Sequence, residues 1–328
     1  MSGRPRVLLT TLAVAALAFA VATLVMRAWP VSNVFALVAA IGSPYAPFVA
    51  LAGLALAALS RRILLSIIAV LVVTATAVFL VPQYYFGRPT EVNQYADIRV
   101  LSSNLRKGRA DASSFVGLAT ESADVITASE LTPEEVERFS QAGIEEVFPY
   151  SVLVPAPDAG GIGLWSRFPL TTVTPGKRPR NMAITAARLR VPGVGLDPLV
   201  ASVHVTSPVA NETNTVDDWR SGIAATEAVL DGFAAAAGPA AVIIAGDFNS
   251  TPDMRQFRDL LTNGYRDAVE QTGAGFVPTF LADSWLPPVL AIDHVLTRGC
   301  RATAVQAMEI AGSDHRALLA TVQVPRAP

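Results

Sequence analysis

Three long apolar stretches lie at the start of this 328-residue chain, and they constrain its fold more than any other feature. They cover residues 7–26, 34–59 and 63–81, and none contains a charged side chain. A helix needs about 20 apolar residues to cross the hydrocarbon core of a bilayer. The sequence therefore predicts three transmembrane helices, and Pro44 and Pro47 should make the start of the second irregular or interfacial.

The first apolar stretch also has the form of a secretory signal peptide, because Arg4 and Arg6 precede an alanine-rich core. Two further apolar stretches follow at once, which favours a retained anchor. Cleavage after the first stretch would still leave the chain in the membrane.

Arginines beside the apolar stretches predict the orientation of the helices. Four lie on one side of the membrane and two on the other, namely Arg4, Arg6, Arg61 and Arg62 against Arg27 and Arg88. Because cytoplasmic flanks carry the excess of positive charge, we expect the N-terminus to be cytoplasmic. With three spans, everything after residue 81 should lie outside the cytoplasm.

The rest of the chain is long enough to bury a core of its own. We expect an anchor over residues 1–82, a linker over residues 83–96 and a folded domain over residues 97–328. That domain has 19 Lys plus Arg and 26 Asp plus Glu, and this net charge of −7 argues against nonspecific wrapping of a polyanion. Cys300 is the only cysteine, so a packed core and no intrachain disulfide must hold the domain.

Residues 242–252, VIIAGDFNSTP, contain the strongest local motif of this domain. The apolar run predicts a buried strand, after which Asp247 and Asn249 lie two residues apart on one face. The same residue types are also typical of an ordinary turn, so the motif alone leaves the choice open.

Other predicted strands also lead to polar side chains. Residues 98–102 and 124–128 are expected to be strands, and they precede Asn104 and Glu130, whose oxygens suit a hard cation. Further strands are predicted over residues 150–154, 161–166, 183–191, 199–205, 290–296 and 317–324, and helices over residues 112–120, 133–142 and 252–261 and from residue 215.

The only three histidines, His204, His294 and His315, all lie at predicted strand ends beside polar loops. Three unrelated structural histidines would rarely be arranged in this way. Asp314 directly precedes His315 and would point to the opposite face of a strand, so we expect Asp293 to orient His315. His294 is expected to neighbour the site without taking part in the chemistry.

These motifs together resemble the endonuclease/exonuclease/phosphatase family, which has the deoxyribonuclease I-like fold, and a membrane-anchored bacterial member is expected. In chain order the motifs are Asn104, Glu130, His204, Asp247-Phe248-Asn249, Asp293-His294 and Ser313-Asp314-His315. The resemblance implies an α/β fold, a four-layer sandwich of two mixed β-sheets flanked by helices. It also implies hydrolysis of phosphoester bonds with Mg²⁺ or Mn²⁺, in one cleft at the sheet ends.

Carried over residue by residue, the resemblance assigns the metal to Asn104 and Glu130, with Asp314 on the ion or near it. It leaves open whether one or two ions act. Glu145 and Glu146 are the candidates for a carboxylate that supports His204 in part of the family.

The resemblance also implies roles for five catalytic residues. Asp247 would orient or deprotonate the attacking water, and Asn249 would place that water and a phosphate oxygen. His204 and His315 would bind the phosphate and stabilise charge as the leaving oxygen departs, with Asp293 orienting His315.

Basic side chains near these motifs predict a rim that binds the substrate phosphate, formed by Arg106, Lys107, Arg167 and Arg180. Solvated loops are the commoner explanation of such cations. The leading hypothesis is a membrane-embedded, extracytoplasmic, metal-dependent phosphoesterase for a lipid-linked or small phosphodiester, without an obligate protein partner.

A surface nuclease acting on DNA or RNA is the alternative. It would need a rim made of Arg106, Lys107, Arg109, Lys177, Arg178 and Arg180. An inactive binding module is disfavoured because no motif residue is missing.

Overall fold

Two six-stranded β-sheets form the centre of the domain in the computed structural model, which describes residues 3–87, 94–174, 181–209, 215–285 and 287–327. The strands are β1 (Tyr95–Asn104), β2 (Val125–Ser129), β3 (Tyr150–Val154), β4 (Ile162–Ser166), β5 (Leu170–Val173), β6 (Met182–Leu189), β7 (Leu199–Val205), β8 (Val242–Asp247), β9 (Arg266–Asp267), β10 (Asp293–Arg298), β11 (Arg301–Met308) and β12 (Ala317–Pro325). The first sheet has the order β11-β12-β1-β2-β4-β3 and the second β5-β6-β7-β8-β10-β9.

Helices flank both sheets. Those of the domain are α5 (Ala112–Ser122), α6 (Pro133–Gln141), α7 (Ile144–Val147), α8 (Thr215–Ala237), α9 (Arg255–Asp259) and α10 (Ala268–Thr272). One buried cluster joins the facing sides of the two sheets and includes Val100 and Val125 from the first and Val200 and Ile243 from the second. The expected four-layer sandwich of two mixed sheets is confirmed.

Parallel pairing brings the polar strand ends together. Strands β1 and β2 are parallel, and Asn104 lies beside Ser129, the residue before Glu130. Strands β7 and β8 are also parallel, and His204 lies beside Asp247. Side chains that are far apart in sequence therefore meet at one edge of the sandwich.

The N-terminal region forms α1 (Gly3–Ala28), α2 (Val34–Gly42), a 3₁₀ turn (Ser43–Tyr45), α3 (Ala46–Leu59) and α4 (Ile63–Tyr85). Three segments are long and apolar enough to cross a membrane, namely Arg4–Ala28, Val34–Leu59 and Ile63–Tyr85. We call this region the anchor. Its last helix extends to Tyr85, and residues 88–93 of the expected linker lie outside the described residues.

The second apolar segment is not one continuous helix. Ala36, Leu37 and Ala40 of α2 belong to the same buried cluster as Trp219 and Phe257 of the domain. On the outer side of α2 the apolar side chains are exposed, as in Val34, Phe35 and Val38. The break near Pro44 and Pro47 thus separates a helix that packs on the domain from the 14-residue helix α3.

Strand β10 begins later than its sequence predicts. Asp293 and His294 are its first two residues and not its middle, because Leu290 bonds instead to the backbone of Thr279 and Phe280. Helix α9 has five residues and is shorter than the predicted helix over residues 252–261. Strands β5, β9 and β11 and helices α7 and α10 were not predicted.

Candidate active site

A cleft of about 670 Å³ opens at the edge where β1, β2, β7 and β8 end. Acidic, basic and imidazole groups line it together with backbone and small side chains. The charged and amide residues of its wall are Arg106, Lys107, Arg109, Glu130, Asn181, His204, Asp247, Asn249, Asp314 and His315. Most of the residues that the sequence singled out therefore share one cavity.

The floor of the cleft contains two carboxylates joined by one amide. Nδ2 of Asn104 donates to Oδ2 of Asp247 at 3.0 Å and to Oε1 of Glu130 at 3.3 Å. The backbone N–H of Arg106 donates to Oδ1 of Asn104, and that of Lys107 donates to Oε2 of Glu130. The basic loop therefore holds both polar side chains through its main chain.

Backbone strain accompanies this arrangement. Arg106, Lys107 and Glu130 all have positive φ, at 49°, 53° and 57°. Such left-handed conformations are unfavourable for residues other than glycine, and in folded proteins they concentrate at functional sites. Here they turn two backbone N–H groups toward side chains of the site.

His204 and His315 lie against the same oxygen of Asp247. The Nε2 atom of each imidazole is 3.8 Å from Oδ2 of Asp247, and Nε2 of His204 is also 3.8 Å from Oε1 of Glu130. The carboxylate of Asp247 is 2% exposed, so its contacts with both imidazoles lie in a poorly solvated environment.

A buried Asp–His pair orients the second imidazole. Nδ1 of His315 donates to Oδ2 of Asp293 at 2.8 Å. Burial alone would lower the pKa of His315, but the charge of Asp293 and this hydrogen bond raise it to about 9. The imidazole is therefore protonated at neutral pH, with Nε2 as a donor facing the cleft.

Negative charge is concentrated around Asp247. Burial, together with the charge of Asp293, raises the pKa of Asp247 to about 6, although His315 and His204 act to lower it. In the described part of the chain, Asp247, Asp293 and His315 offer ligand atoms within 4.8 Å of one another, and Oδ1 of Asp293 is buried without a hydrogen-bond partner.

The donor set fits a divalent cation, because carboxylate oxygens predominate and one of them is buried without compensation. Asp293 already bonds His315, so an ion would compete with that pair. On the other side of Asp247, Glu130 accepts from the amide of Asn104 and from the backbone N–H of Lys107, and Nε2 of His204 lies 3.8 Å from its Oε1. Asp314, the third expected ligand, lies in the cleft wall with Nε of Arg106 at 3.7 Å.

The loop after β8 places the next motif residue. The N–H of Asn249 donates to Oδ1 of Asp247 at 2.8 Å, and its Nδ2 donates to the carbonyl oxygen of Val205 at 2.8 Å. Asn249 has a φ of 46°, which an asparagine tolerates better than most residues. Directly before Asp247, a Cβ on Gly246 would lie 1.8 Å from the carbonyl oxygen of Val203, so only glycine fits there.

His294 points away from the cleft, as expected for the neighbour of Asp293 along a strand. Its Nδ1 lies 2.5 Å from Oδ2 of Asp267, and its Nε2 lies 2.9 Å from the carbonyl oxygen of Ser250. Burial lowers the pKa of His294, but Asp267 more than reverses this effect and the pKa is raised. Through its contact with Ser250, His294 supports the loop after β8 on the side that faces away from the cleft.

The predicted cationic rim is only partly present. Arg106, Lys107 and Arg109 line the cleft, but Arg106 also forms an ion pair with Asp283 at 2.7 Å. Arg167 does not lie there, because β4 runs antiparallel to β2 and ends at the opposite edge of the sheet. Its guanidinium bonds backbone carbonyls of α5 and the residue after it. Lys177, Arg178 and Arg180 fall outside the described residues.

Several partners of the site have no clear signal in the sequence. Nδ1 of His204 faces the carbonyl oxygen of Ala159 at 3.1 Å, whereas the two candidate partners Glu145 and Glu146 are exposed on α7. Oγ1 of Thr279, which is fully buried, accepts the N–H of Asp293. A backbone carbonyl and a hydroxyl in a nonrepetitive segment leave no pattern that could have identified them.

Comparison with known proteins identifies the family. Residues 92–315 match the model of the Endonuclease/Exonuclease/phosphatase family, and no curated protein sequence matches the chain. A family protein from Bacteroides thetaiotaomicron is similar in structure, with 13% identity and a TM-score of 0.55 over 70% of this chain and 99% of that one.

Two further solved structures share the fold. The catalytic domain of human Nocturnin with bound sulfate has 15% identity and a TM-score of 0.54, over 73% of this chain and 97% of that one. A D. rerio TDP2 complexed with single strand DNA product has 16% identity and a TM-score of 0.52, over 69% and 99%.

The two-sheet sandwich and its cleft of carboxylates and imidazoles define a hydrolase of phosphoester bonds. Because the family model covers more than half of the chain, this protein belongs to the endonuclease/exonuclease/phosphatase family. Enzymes of this family are generally dependent on a divalent metal.

Proposed function

We propose that the protein is a membrane-anchored, extracytoplasmic, divalent-metal-dependent phosphodiesterase that acts on a lipid-linked or other small phosphodiester at the membrane surface. The contact between the anchor and the loop after Asp247 carries this proposal. Asp253 of that loop is buried and lies between Arg27 and Tyr84 of the anchor. Six residues of extended chain span at most about 22 Å, so Asp247 lies within that distance of Asp253.

The anchor contact is extensive and polar. Oδ1 of Asp253 accepts from Nε of Arg27 at 2.8 Å, and Oδ2 accepts from the hydroxyl of Tyr84 at 2.6 Å. Nε2 of Gln83 donates to the carbonyl oxygen of Pro252 at 3.1 Å. Burial raises the pKa of Asp253, and the charge of Arg27 acts to lower it. The ionised carboxylate is therefore favourable only while its partners stay in place. The cleft is thereby held close to the anchor.

The position of an exposed tryptophan favours a substrate that lies in the bilayer. Trp285 is 92% exposed, and it lies four residues from Val289, whose carbonyl oxygen accepts from the hydroxyl of Tyr45 in the anchor at 2.7 Å. Tryptophan favours the level of lipid headgroups. Two residues before it, Asp283 pairs with Arg106 at the cleft, so this loop lies between the anchor and the cleft.

The side chains divide the hydrolytic work as follows. Asp247, a carboxylate at neutral pH, would take the proton of the attacking water, and Asn249 would help to place that water. As the bond between phosphorus and the leaving oxygen breaks, protonated His315 would donate a proton to that oxygen, with Asp293 holding the imidazole in place. His204 would bind a phosphate oxygen on the other side of Asp247.

Glu130 would hold the divalent cation with Asp247 beside it, and Asp314 would lie near it. Asn104 would join them through Oδ1, which requires its amide to turn, because Nδ2 faces both carboxylates. When bound, the ion would neutralise charge on the phosphate and its leaving oxygen. Magnesium and manganese both suit such oxygen donors. The division into an anchor (residues 1–82), a linker (83–96) and a catalytic domain (97–328) belongs to the same proposal, as does the extracytoplasmic side inferred from the flanking arginines.

A nuclease is the second candidate, because Arg106, Lys107 and Arg109 line the cleft and one structural neighbour holds a DNA product. Two observations weigh against it. Arg106 is paired with Asp283 and lies near Asp314, and the region from residue 97 onward has a formal charge of −7. Both reduce the attraction for a long polyanion.

Hydrolysis assays with the full-length protein test the proposal. It would be offered an aryl phosphodiester, an aryl phosphomonoester, single- and double-stranded DNA, and phospholipid vesicles, with Mg²⁺, Mn²⁺ or chelator. We expect metal-dependent cleavage of the diester and of lipid, which Asp247→Asn abolishes. Cleavage of DNA with lipid untouched would establish the nuclease instead.

Two further measurements address the membrane. Trp285→Ala should lower activity on vesicles and leave hydrolysis of the water-soluble diester unchanged. Protease added to intact cells should remove the catalytic domain. Survival of that domain until lysis would place the cleft in the cytoplasm and contradict the proposed orientation.

A further inference from the structure

Tyr45 and Tyr84 of the anchor lie against the segment that covers the buried Asp–His pair of the cleft. We call residues 273–282 the connecting segment. The ring of Phe276 in this segment makes an edge contact with each tyrosine ring, with a centroid separation of 5.8 Å and interplanar angles of 77° to Tyr45 and 78° to Tyr84. The N–H of Gly275 donates to the carbonyl oxygen of Tyr84 at 2.8 Å. Side chain and backbone therefore fix the start of the segment to the anchor.

The backbone at Gly273 passes very close to the backbone at the end of α4. A Cβ on Gly273 would lie 2.5 Å from the backbone nitrogen of Gly87 and 2.9 Å from the carbonyl oxygen of Tyr85. Gly273 also has a φ of 63°, which favours glycine. The chain thus passes the end of α4 at a distance that no other residue type would permit.

Three residues after Phe276, the connecting segment reaches the site. Oγ1 of Thr279 accepts the N–H of Asp293 at 3.3 Å, and the carbonyl oxygen of Thr279 accepts the N–H of Arg316 at 2.7 Å. Thr279 therefore bonds to the backbone on both sides of the Asp–His pair, at Asp293 and next to His315.

Phe280 completes the contact. Its ring packs on the imidazole of His315 with a centroid separation of 4.8 Å, and its backbone forms a bridge with His315. The far end of the segment is fixed too, because the N–H of Ala282 donates to the carbonyl oxygen of Asp314. The hydroxyl of Tyr45 bonds to Val289, which pairs with Phe280 across the loop.

The geometry points to Tyr45 and Tyr84 as positioning residues for the Asp293–His315 pair, acting through Phe276 and the connecting segment. This inference rests on the proposed role of that pair in hydrolysis. The anchor then does more than hold the enzyme at the bilayer, because its helix ends form part of the support of the active site. Turnover of a substrate that is fully soluble in water should depend on anchor residues.

The test uses the full-length protein in detergent micelles with a water-soluble aryl phosphodiester, so that a bilayer does not present the substrate. Phe276→Leu removes both edge contacts, and Tyr45→Phe removes the hydrogen bond to Val289. We expect kcat to fall roughly tenfold and roughly threefold, with KM unchanged, because a small displacement of a proton donor affects the transition state more than binding.

A matched control separates positioning from general packing of the anchor. Phe48→Leu makes the same chemical change on α3, at a side chain that is 68% exposed, and should keep the wild-type kcat. The Nδ1 proton resonance of His315, which reports its bond to Asp293, should shift in Phe276→Leu and not in Phe48→Leu. Thermal midpoints would verify that all variants are folded. If Phe276→Leu does not fold, Tyr45→Phe still tests the inference.

The outcomes distinguish failure of the positioning inference from failure of the proposed function. Wild-type kcat and an unshifted resonance in both Phe276→Leu and Tyr45→Phe would overturn the inference, and so would an equal loss in Phe48→Leu. Full activity in Asp247→Asn would instead overturn the proposed function, since that variant keeps the connecting segment intact.

Discussion

Nδ1 of His315 donates a 2.8 Å hydrogen bond to Asp293, and this leaves Nε2 of the same imidazole 3.8 Å from the carboxylate of Asp247. The imidazole is therefore oriented from one side and faces a second carboxylate on the other. A protonated imidazole between two carboxylates is stabilised by both, and its charge in turn reduces the repulsion between them. Both the stability and the activity of the protein should depend on this arrangement.

Asp293→Asn should reduce kcat by roughly 10²- to 10⁴-fold, the contribution typical of a positioned general acid or base. The change removes the charge that keeps His315 protonated, so the pKa of His315 should fall from about 9. The assay is hydrolysis of a soluble diester, with a histidine-selective NMR titration of the metal-free protein as the second measurement. An unchanged pKa of His315 in this variant would contradict the assignment of Asp293 as its main partner.

The stability of the metal-free protein should fall as the pH rises above neutrality. His315 has a folded-state pKa of about 9, above the ordinary value near 6.5, so its stabilising contribution is complete below about pH 6.5 and is lost as the pH rises through 9. The loss should be on the order of 3 kcal/mol in the free energy of unfolding. Asp247, with a pKa of about 6, acts at lower pH: its carboxyl favours the folded state while protonated, and this contribution is lost between about pH 4 and 6.

Thermal unfolding in chelator at several pH values measures this dependence. His315→Gln should flatten the curve between pH 6.5 and 9, while His204→Gln serves as the control at the other imidazole of the cleft. A wild-type midpoint that stays constant over this range would show that His315 is not protonated in the folded protein.

Asp247→Asn should abolish hydrolysis and yet stabilise the metal-free protein, by about 1 kcal/mol at pH 7.5. The ionised carboxylate is unfavourable there because of its burial and the charge of Asp293, as its raised pKa shows. The gain is limited because the new amide group would face Nδ2 of Asn104, which is also a donor.

Metal addition provides the second part of this experiment. Mg²⁺ or Mn²⁺ should raise the melting midpoint of the wild type, since a ligand that binds only the folded state stabilises it. The shift should be much smaller for Asp247→Asn and for Glu130→Gln. An equal shift in all three proteins would show that the ion binds elsewhere.

The sequence predicted the strands well where apolar runs were long and bounded by polar residues. The bounds of β3 (Tyr150–Val154) and β7 (Leu199–Val205) agree with those expected from the chain. The polar residues after parallel neighbours also come together as expected, because the parallel pairs β1 and β2, and β7 and β8, end at the same edge. Local patterns were sufficient for these features.

The sequence could not indicate which sheet edge a residue would reach. Arg106 and Arg167 both follow strands and looked equally suitable for a phosphate rim, but β4 is antiparallel to β2 and carries Arg167 to the far edge. Strand direction depends on pairing across the whole sheet, which no local pattern encodes. The same holds for the contact of His204 with the carbonyl oxygen of Ala159, 45 residues away in sequence.

The ion pair between Arg27 and Asp253 should hold the anchor on the catalytic domain, and removing one partner should be more harmful than removing both. Asp253→Leu leaves Arg27 only 18% exposed and without its 2.8 Å partner, so a loss of about 3 kcal/mol is expected. Arg27→Leu should cost a similar amount because it leaves a fully buried carboxylate. The combined variant should recover at least half of the loss, since two leucines bury no unpaired charge.

Thermal unfolding of the four proteins in one detergent, analysed as a double-mutant cycle, gives the coupling energy directly. Arg220→Leu, at a 47% exposed side chain that pairs with Asp217 on the same helix α8, controls for the loss of a surface arginine. Additive effects of the two single changes would mean that Arg27 and Asp253 stabilise the protein separately. Other contacts, such as the bond of Gln83 to Pro252 and the packing of α2 on the domain, would then hold the cleft near the anchor, and vesicle hydrolysis by Asp253→Leu should remain close to that of the wild type.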